Sequence, residues 1–464
     1  MKIHFNGASR TVTGSQYMLE INDRRLLLEC GLFQGRRSET YERNQNFQFD
    51  PQAIDAVVLS HAHIDHSGNL PNLVKNGYIG PIYATPPTQA LCDLMLQDSG
   101  YIQEQDARYV NKKRAKNGLP PVEPLYTQAD SLMAIDKFRP IEYDQPTEVL
   151  PGVVVTLVDA GHILGSAAVV LDITENGTTR RLWFSGDIGR MDLPLLNDPI
   201  LPEKVDYLIM ESTYGDKPHR DPEDAYVEML KVLKRTFQRG GKVIIPAFAV
   251  GRTQELVYNI NRMISSGEIP SIPVFVDSPL AVNASDVFRR FPERFDEDAQ
   301  AFMRLEQHPA LNFDNLVYTR SVSESKEINS KKGPLVIISA SGMAENGRIR
   351  HHLNNTIRDQ RNTIMIVSWA APYTLARQLA EQAKDVRIFG ETIRRKAEVA
   401  TIGGLSAHAG QRQLLGYAES SQASLKHIFL VHGEPRSTNV LIELLKARGM
   451  DNLSYPDLFA EVEI

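Results

Sequence analysis

The sequence predicts an α/β protein: a catalytic unit built on short buried strands, interrupted by an inserted α/β unit whose parallel sheet is flanked by helices. Three observations predict it. Short runs of Val, Ile and Leu end repeatedly in polar or glycine-rich turns. From about residue 220, helix-length stretches alternate with such runs, which is the rhythm of βαβ units. Near residue 390 the first texture returns. At 464 residues the chain is too long for one ordinary core, so two or three domains are expected.

The early runs are Leu26–Leu28 before Glu29-Cys30-Gly31, Ala56–Ser60 before His61, and Val153–Val158 before Asp159-Ala160-Gly161-His162. Leu182–Phe184 before Ser185-Gly186-Asp187 and Tyr207–Met210 before Glu211-Ser212-Thr213 follow. They are too short for helices and rich in branched apolar residues, so they read as buried strands. Reactive side chains come just after their C-terminal ends, where open α/β sheets place binding sites. The insert reads as helices around 223–238, 251–266 and 373–384, with strands Val243–Pro246, Pro273–Asp277, Leu335–Ser339 and Thr363–Ser368. Ala397–Ile402 and His427–Val431, the latter before His432, then read as a return to the first unit. The expected division is 1–205 and 396–464 for the catalytic domain and 206–395 for the insert. Residues 103–127, with Lys112-Lys113-Arg114 and Pro120, Pro121 and Pro124, read as an exposed helix and loop with a solvated basic face.

Composition narrows the class. With 42% hydrophobic and 23% charged residues the chain is of the soluble globular type. No run approaches the roughly 18–20 apolar residues of a membrane helix, so no membrane is expected. Met1–Arg10 shows no apolar segment after a basic start, so no secretory signal is expected. Cys30 and Cys92 cannot make a disulfide framework; each reads as a small buried apolar residue, and a cytoplasmic location is expected. The net charge of −6 excludes a protein that holds nucleic acid by bulk electrostatics. Any such affinity must come from local groups and bound metal.

The strongest chemical signal is His61-Ala-His63-Ile-Asp65-His66, four potential ligands in six residues directly after a strand. His61 and His63 can point to one metal from a tight loop, and Asp65 and His66 to a second. Imidazole suits zinc, and carboxylate is an acceptable partner. His162, Asp187 and His432 also follow strand ends. Taken alone, His162 or His432 reads as structural; beside the cluster each becomes a ligand candidate. Two zinc ions about 3.5–4 Å apart can clamp the attacking and leaving oxygens of an in-line displacement and supply hydroxide at neutral pH. No serine or cysteine nucleophile is then required. The sequence contains no Gly-x-Ser-x-Gly elbow and no Walker loop.

The pattern His-x-His-x-Asp-His, then His162, Asp187 and His432, resembles the metallo-β-lactamase superfamily. The resemblance implies an αββα sandwich. It also implies two Zn²⁺ per chain: one on His61, His63 and His162, a second on Asp65, His66 and His432, and Asp187 bridging them. Further blocks resemble its β-CASP nuclease family: Pro246-Ala-Phe-Ala-Val-Gly-Arg-Thr-Gln-Glu-Leu256, Asp277-Ser-Pro-Leu-Ala281, Ser339-Ala-Ser-Gly-Met343, Glu211-Ser-Thr-Tyr-Gly215 and Leu405-Ser-Ala-His-Ala409. They run in order along nearly the whole chain and place it beside bacterial and archaeal relatives of the pre-mRNA 3′-end cleavage endonuclease, and more distantly RNase J. The implied activity is hydrolysis of RNA phosphodiester bonds, internally or from the 5′ end, on single-stranded RNA. Asp65, Glu211 and His408 form the implied catalytic set, and a homodimer is the implied assembly. Glu211 would orient His408, which would donate to the leaving 3′ oxygen.

Turns with small residues offer N–H groups to phosphates, so Ser339, Ser341 and Arg252 are read as phosphate contacts, Arg252 equally as loop support. Arg348, Arg350, His351 and His352 form a basic cluster read as facing RNA, with a plain surface as the alternative. One departure concerns the first family motif, where Glu29 stands for the usual aspartate before Cys-Gly. Its extra methylene predicts rearranged hydrogen bonds around the metal loop, and Glu29 is not counted as a ligand. The rival readings are a thioesterase- or lactonase-like small-molecule hydrolase, a non-catalytic RNA-binding subunit and a DNA nuclease. The long insert argues against the first and the intact ligand set against the second.

Overall fold

In the strand Arg24–Leu28, Leu26 and Leu28 face one side and Leu27 the other, and none of the three is exposed. A strand apolar on both faces has to lie between layers. The computed structural model, which describes residues 1–35, 37–307 and 309–464, satisfies this with two facing sheets. In spatial order the first sheet holds Glu461–Glu463, Lys2–Phe5, Tyr17–Ile21, Arg24–Leu28, Ala56–Val58, Ile82–Ala84 and Phe138–Pro140. The second holds Leu453–Ser454, His427–Val431, Tyr207–Glu211, Thr178–Phe184, Ala167–Glu175, Val153–Asp159 and Thr147–Leu150. Ile3, Phe5, Leu19 and Leu28 of one sheet meet Val155, Leu171, Phe184 and Phe429 of the other. Ring pairs Phe5–Phe429 and Tyr17–Phe184, at 5.5 and 5.4 Å between centroids, bridge the layers.

Helices close both outer faces. Gln411–Glu419 and Pro435–Lys446 cover Leu208, Met210 and Leu430 with Leu414, Leu441 and Leu445, and Trp183 Nε1 donates to the Tyr417 hydroxyl at 2.7 Å. Leu70–Lys75, Pro86–Lys116 and Gln128–Ile135 pack together on the other side. Pro86 stands at the first position of the long helix and Thr85 caps it, a combination that suits a helix start. The architecture is the αββα sandwich. Cys30 and Cys92 are buried free thiols. Among the described residues no helix is long and apolar enough to cross a membrane.

The chain divides into two compact units, the first comprising Met1–Met191, Asp198–Pro218 and Ala407–Ile464, the second Asp192–Asn197 and His219–Ser406. The second is built on a six-stranded parallel sheet in the order Leu316–Tyr318, Val274–Val276, Leu335–Ser339, Lys242–Pro246, Thr363–Ile366 and Glu398–Thr401. The run near 397–402, read from sequence as a return to the first unit, is therefore the last strand of the insert, paired with Thr363–Ile366. Tyr207–Glu211 lies in the first unit, between Thr178–Phe184 and His427–Val431. An apolar run announces a strand but not its neighbour, so the division falls further along the chain than the texture suggests. The helix expected over 373–384 is only Leu375–Ala380. Tyr373 and Gln382 both have positive φ, 68° and 62°, and left-handed residues cannot continue a right-handed helix.

One buried carboxylate ties the second unit together. Asp277 follows the strand Val274–Val276 and its side chain has no exposure. It accepts from Thr319 Oγ1 and Ser325 Oγ at 2.5 Å, His352 Nε2 at 2.6 Å and Arg348 Nη1 at 2.7 Å. Burial opposes its charge, but these four donors outweigh burial and hold the carboxyl well below the usual carboxylate range. Removing it strands Arg348 and His352, so Asp277→Ala is expected to destabilise the second unit by about 3–5 kcal/mol in urea unfolding. The folded-state pKa is depressed, so the stabilisation is complete above about pH 4 and lost as pH falls further. The acid limb of the stability–pH curve should accordingly be shallower in Asp277→Asn.

Candidate metal centre

Every prospective ligand sits at the carboxyl end of a strand or in the turn beyond it. Ala56–Val58 leads to His61 and His63, and the short helix Ile64–Ser67 brings in Asp65 and His66. Val153–Asp159 leads to His162, Thr178–Phe184 to Asp187, and His427–Val431 to His432. Main-chain bonds lock the histidine loop: Ser15 N donates to Asp65 O and Cys30 N to His66 O, both at 2.8 Å. Gly31 makes this approach possible, since a Cβ there would lie 1.7 Å from Asp65 O. At Gly189 a Cβ would lie 1.9 Å from Gly161 O, so the turns carrying Asp187 and His162 also close over a bare backbone.

The seven residues face one another around a single space. His61 Nε2 lies 3.0 Å from His63 Nδ1, which lies 3.2 Å from His162 Nε2. Asp187 Oδ2 is 3.4 Å from both His61 Nε2 and His162 Nε2, and its Oδ1 is 3.3 Å from His66 Nε2. Asp65 Oδ2 is 3.6 Å from His432 Nε2. Two groups of ligand atoms result, His61–His63–His162–Asp187 and Asp65–His66–His432.

The donor set fits divalent cations on the protein's own terms. Burial above all, together with the neighbouring imidazolium of His66, pulls His61 down to about 3; burial likewise pulls His63 down to about 4. Both rings are neutral near pH 7, the form that binds metal. His66 Nε2, Asp187 Oδ1 and His432 Nε2 are buried without a hydrogen-bond partner, although all face the same space. Burial disfavours charge on His66 too, yet Asp187, Glu29 and Asp65 outweigh it and push the ring well above its ordinary value. The centre demands positive charge, and a proton or a metal ion can meet that demand.

Glu29 supports this loop. It is fully buried, at φ 65°, and accepts from Ser60 N at 2.6 Å, Ser60 Oγ at 2.9 Å and His66 Nδ1 at 2.5 Å. Its oxygens lie near His61 and His66, but they are spent on these donors, which turns His66 Nε2 toward the centre. The longer side chain in place of the usual aspartate makes a direct carboxylate–imidazole bond to His66. Ser60 Oγ plays the corresponding part behind His61 Nδ1, at 2.9 Å, while Thr213 Oγ1 lies 3.1 Å from His432 Nδ1, which also stands 3.6 Å from Asp187 Oδ1. Sequence reading missed Ser60 and Thr213; the adjacency of Ser60 to His61 was the one available signal.

Glu211 and His408 also meet. Both carboxylate oxygens lie 3.2 Å from His408 Nδ1, and Glu211 also accepts from Ile188 N at 2.6 Å. His408 is placed by the main chain, Ala409 N donating to Ile188 O at 2.8 Å. Its Nε2 turns toward Asp187 Oδ2, 3.9 Å away. Burial lowers its pKa, but the charges of Glu211 and Asp187 prevail and raise it to about 9.

The residues read as phosphate contacts lie in the second unit and divide into two kinds. Arg252 is buried and paired with Glu255, Ser339 Oγ donates to Asp277 O at 2.7 Å, and Arg348 is tied to Asp277 and to Arg320 O at 2.6 Å. These three serve the structure directly. Ser341 and Arg350 are half-buried, His351 is exposed, and both Arg350 and His351 lie 4.6 Å from the Phe389 ring.

Fold and centre together define a metallo-hydrolase of the metallo-β-lactamase type. Comparison with known proteins narrows this. A metallo-β-lactamase superfamily domain matches residues 18–178, a β-CASP domain residues 253–379, and a Zn-dependent metallo-hydrolase RNA specificity domain residues 392–456. Ribonuclease TTHA0252 of Thermus thermophilus is 36% identical over 97% of this chain and 97% of its own length. Transcription termination factor FttA of Methanocaldococcus jannaschii is 32% identical over 94% of this chain and 67% of its own. A crystal structure of a protein of unknown function from Enterococcus faecalis shares the fold, with a TM-score of 0.53 at 12% identity over 99% of both chains. The chain belongs to the β-CASP family of the metallo-β-lactamase superfamily.

The support role of Glu29 is testable. Glu29→Gln keeps the shape but removes the charge that orients His66, and should weaken metal binding by about 10–100-fold in competition with a chromophoric chelator.

Proposed function

We propose that the protein is a ribonuclease that hydrolyses phosphodiester bonds of single-stranded RNA with two zinc ions. The observation that carries this reading is the pair of ligand groups meeting at Asp187, with His408 beside it and held by Glu211. His61, His63 and His162 would hold one ion, Asp65, His66 and His432 the other, and Asp187 both. When bound, such a pair supplies Lewis acidity toward phosphoryl oxygens and a nucleophile at neutral pH.

The chain's own residues perform the remaining work. Glu211 accepts the Nδ1–H of His408, which fixes the ring and leaves Nε2 facing the centre. From there Nε2–H can donate to the 3′ oxygen as the P–O bond breaks, so that the departing strand leaves as an alcohol. Asp65, with a side chain 23% accessible, is open enough to solvent that it would meet incoming substrate. The naming of one full-length relative as a ribonuclease, and the match to an RNA specificity domain, support RNA as the substrate.

The test is incubation of zinc-loaded protein with 5′-labelled single-stranded RNA, resolved on a gel. Wild type should cleave, and the ladder separates internal cuts from trimming at the end. His63→Ala should lose metal and cleavage together. His408→Ala should keep both metals by elemental analysis yet cleave about a hundredfold or more slowly. Intact RNA with confirmed metal occupancy, or hydrolysis of simple thioesters and lactones instead, would overturn the reading.

A further inference from the structure

We propose that Trp369 and Tyr373, with Phe248 beside them, form a stacking surface for unpaired bases of the RNA strand. This rests on the RNA reading above and adds a subsite to it.

The placement comes from topology. Leu335–Ser339, Lys242–Pro246 and Thr363–Ile366 are adjacent parallel strands, so the loops after them leave the same edge of the sheet. Carboxyl ends of parallel strands are where α/β sheets bind ligands. Phe248 follows the middle strand, and its ring lies against Gly342 of the loop after Leu335–Ser339: a Cβ on Gly342 would sit 3.3 Å from Phe248 Cδ2 and Cε2. The third loop is joined to the second. Ala371 N donates to Met343 Sδ at 3.3 Å, Ala376 N to Met343 O at 3.2 Å and Leu375 N to Glu345 Oε1 at 2.5 Å.

On this edge the rings stand in solvent. Phe248 is 46% exposed, Trp369 62% and Tyr373 97%. Large aromatic side chains normally bury most of their surface, and no Leu, Ile, Val or Met of the same loops is exposed beside them. A protein-docking patch would mix in Leu, Ile or Met; separate rings set among Ala and Gly present flat π faces. Tyr373 also holds φ at 68°, a conformation that disfavours a bulky L-residue. Such local strain is tolerated at sites of function. The segments 247–251 and 367–374 carry no charged side chain, whereas Arg350 follows in the chain beyond the loop after Leu335–Ser339. Uncharged rings suit bases, and a guanidinium such as that of Arg350 suits phosphate. The net charge of −6 makes contacts of this kind the more necessary, because bulk attraction to RNA is absent.

The two tryptophans make the test direct. Trp183 is 4% exposed and Trp369 62%, so quenching by an added base reports on Trp369. Full-length, zinc-loaded protein carrying His408→Ala, to suppress turnover, is titrated with a short oligoadenylate while fluorescence and filter binding are followed. Quenching is expected, and adding Trp369→Phe should remove that signal with little change in affinity, since a ring remains. Trp369→Ala with Tyr373→Gly should weaken affinity about tenfold or more, with the slope of log Kd against log salt unchanged. Glycine at 373 accepts the backbone conformation, so this variant loses a ring without added strain. Unaltered affinity in the double variant, or a reduced salt slope, overturns the subsite while cleavage of RNA by wild type leaves the ribonuclease reading standing. Wild type that neither binds nor cleaves RNA overturns both.

Discussion

Packing imidazoles and carboxylates around a buried Asp187 is the constraint on which the first unit depends. That carboxylate is 2% exposed and lies within 3.4 Å of Nε2 atoms on three histidines. Taking such a group out of water costs several kcal/mol unless opposite charge and hydrogen bonds compensate. Positive charge at the centre is the compensation, and the surrounding backbone is shaped to place it. Gly31 and Gly189 lack side chains because carbonyl oxygens occupy the space, and Glu29 and Ser60 each hold the far nitrogen of one histidine.

The second unit repeats the principle around a second buried carboxylate. Asp277 gathers Thr319, Ser325, Arg348 and His352 from three later segments of the chain, and Ser339 bonds its carbonyl. The polar residues that look most available in the sequence are consumed in this way.

Legibility followed distance along the chain. Four ligands fall within His61–His66, so geometry followed from a strand and a tight loop alone. His162, Asp187 and His432 each follow a strand, but only the neighbouring cluster and the family resemblance marked them as candidate ligands. Glu211 and His408 are 197 positions apart, and only resemblance joined them before the structure brought Nδ1 to 3.2 Å from the carboxylate. Arg348 and Arg252 show the reverse. A positive charge is visible in any sequence, but the carboxylate that neutralises it is not when it lies on another element, as Asp277 does for Arg348. The run at 398–401 was recognisable as a strand, yet its partner depended on hydrogen bonds to Thr363–Ile366.

Resemblance supplied the αββα sandwich and the wider set of candidate ligands; the sequence by itself determined the α/β class, the interruption by a parallel α/β unit, the His61–His66 cluster and the placement of chemistry at strand ends. These depend on apolar periodicity and on residues close together in the chain, which local pattern encodes. Tertiary structure alone decided which unit claims the strand Glu398–Thr401, how Glu29 meets His66, which cations are spent on internal carboxylates, and that Phe248, Trp369 and Tyr373 share one edge. Each of these is a contact between elements distant in sequence, and such contacts are selected by how whole layers pack rather than by the residues on either side of them.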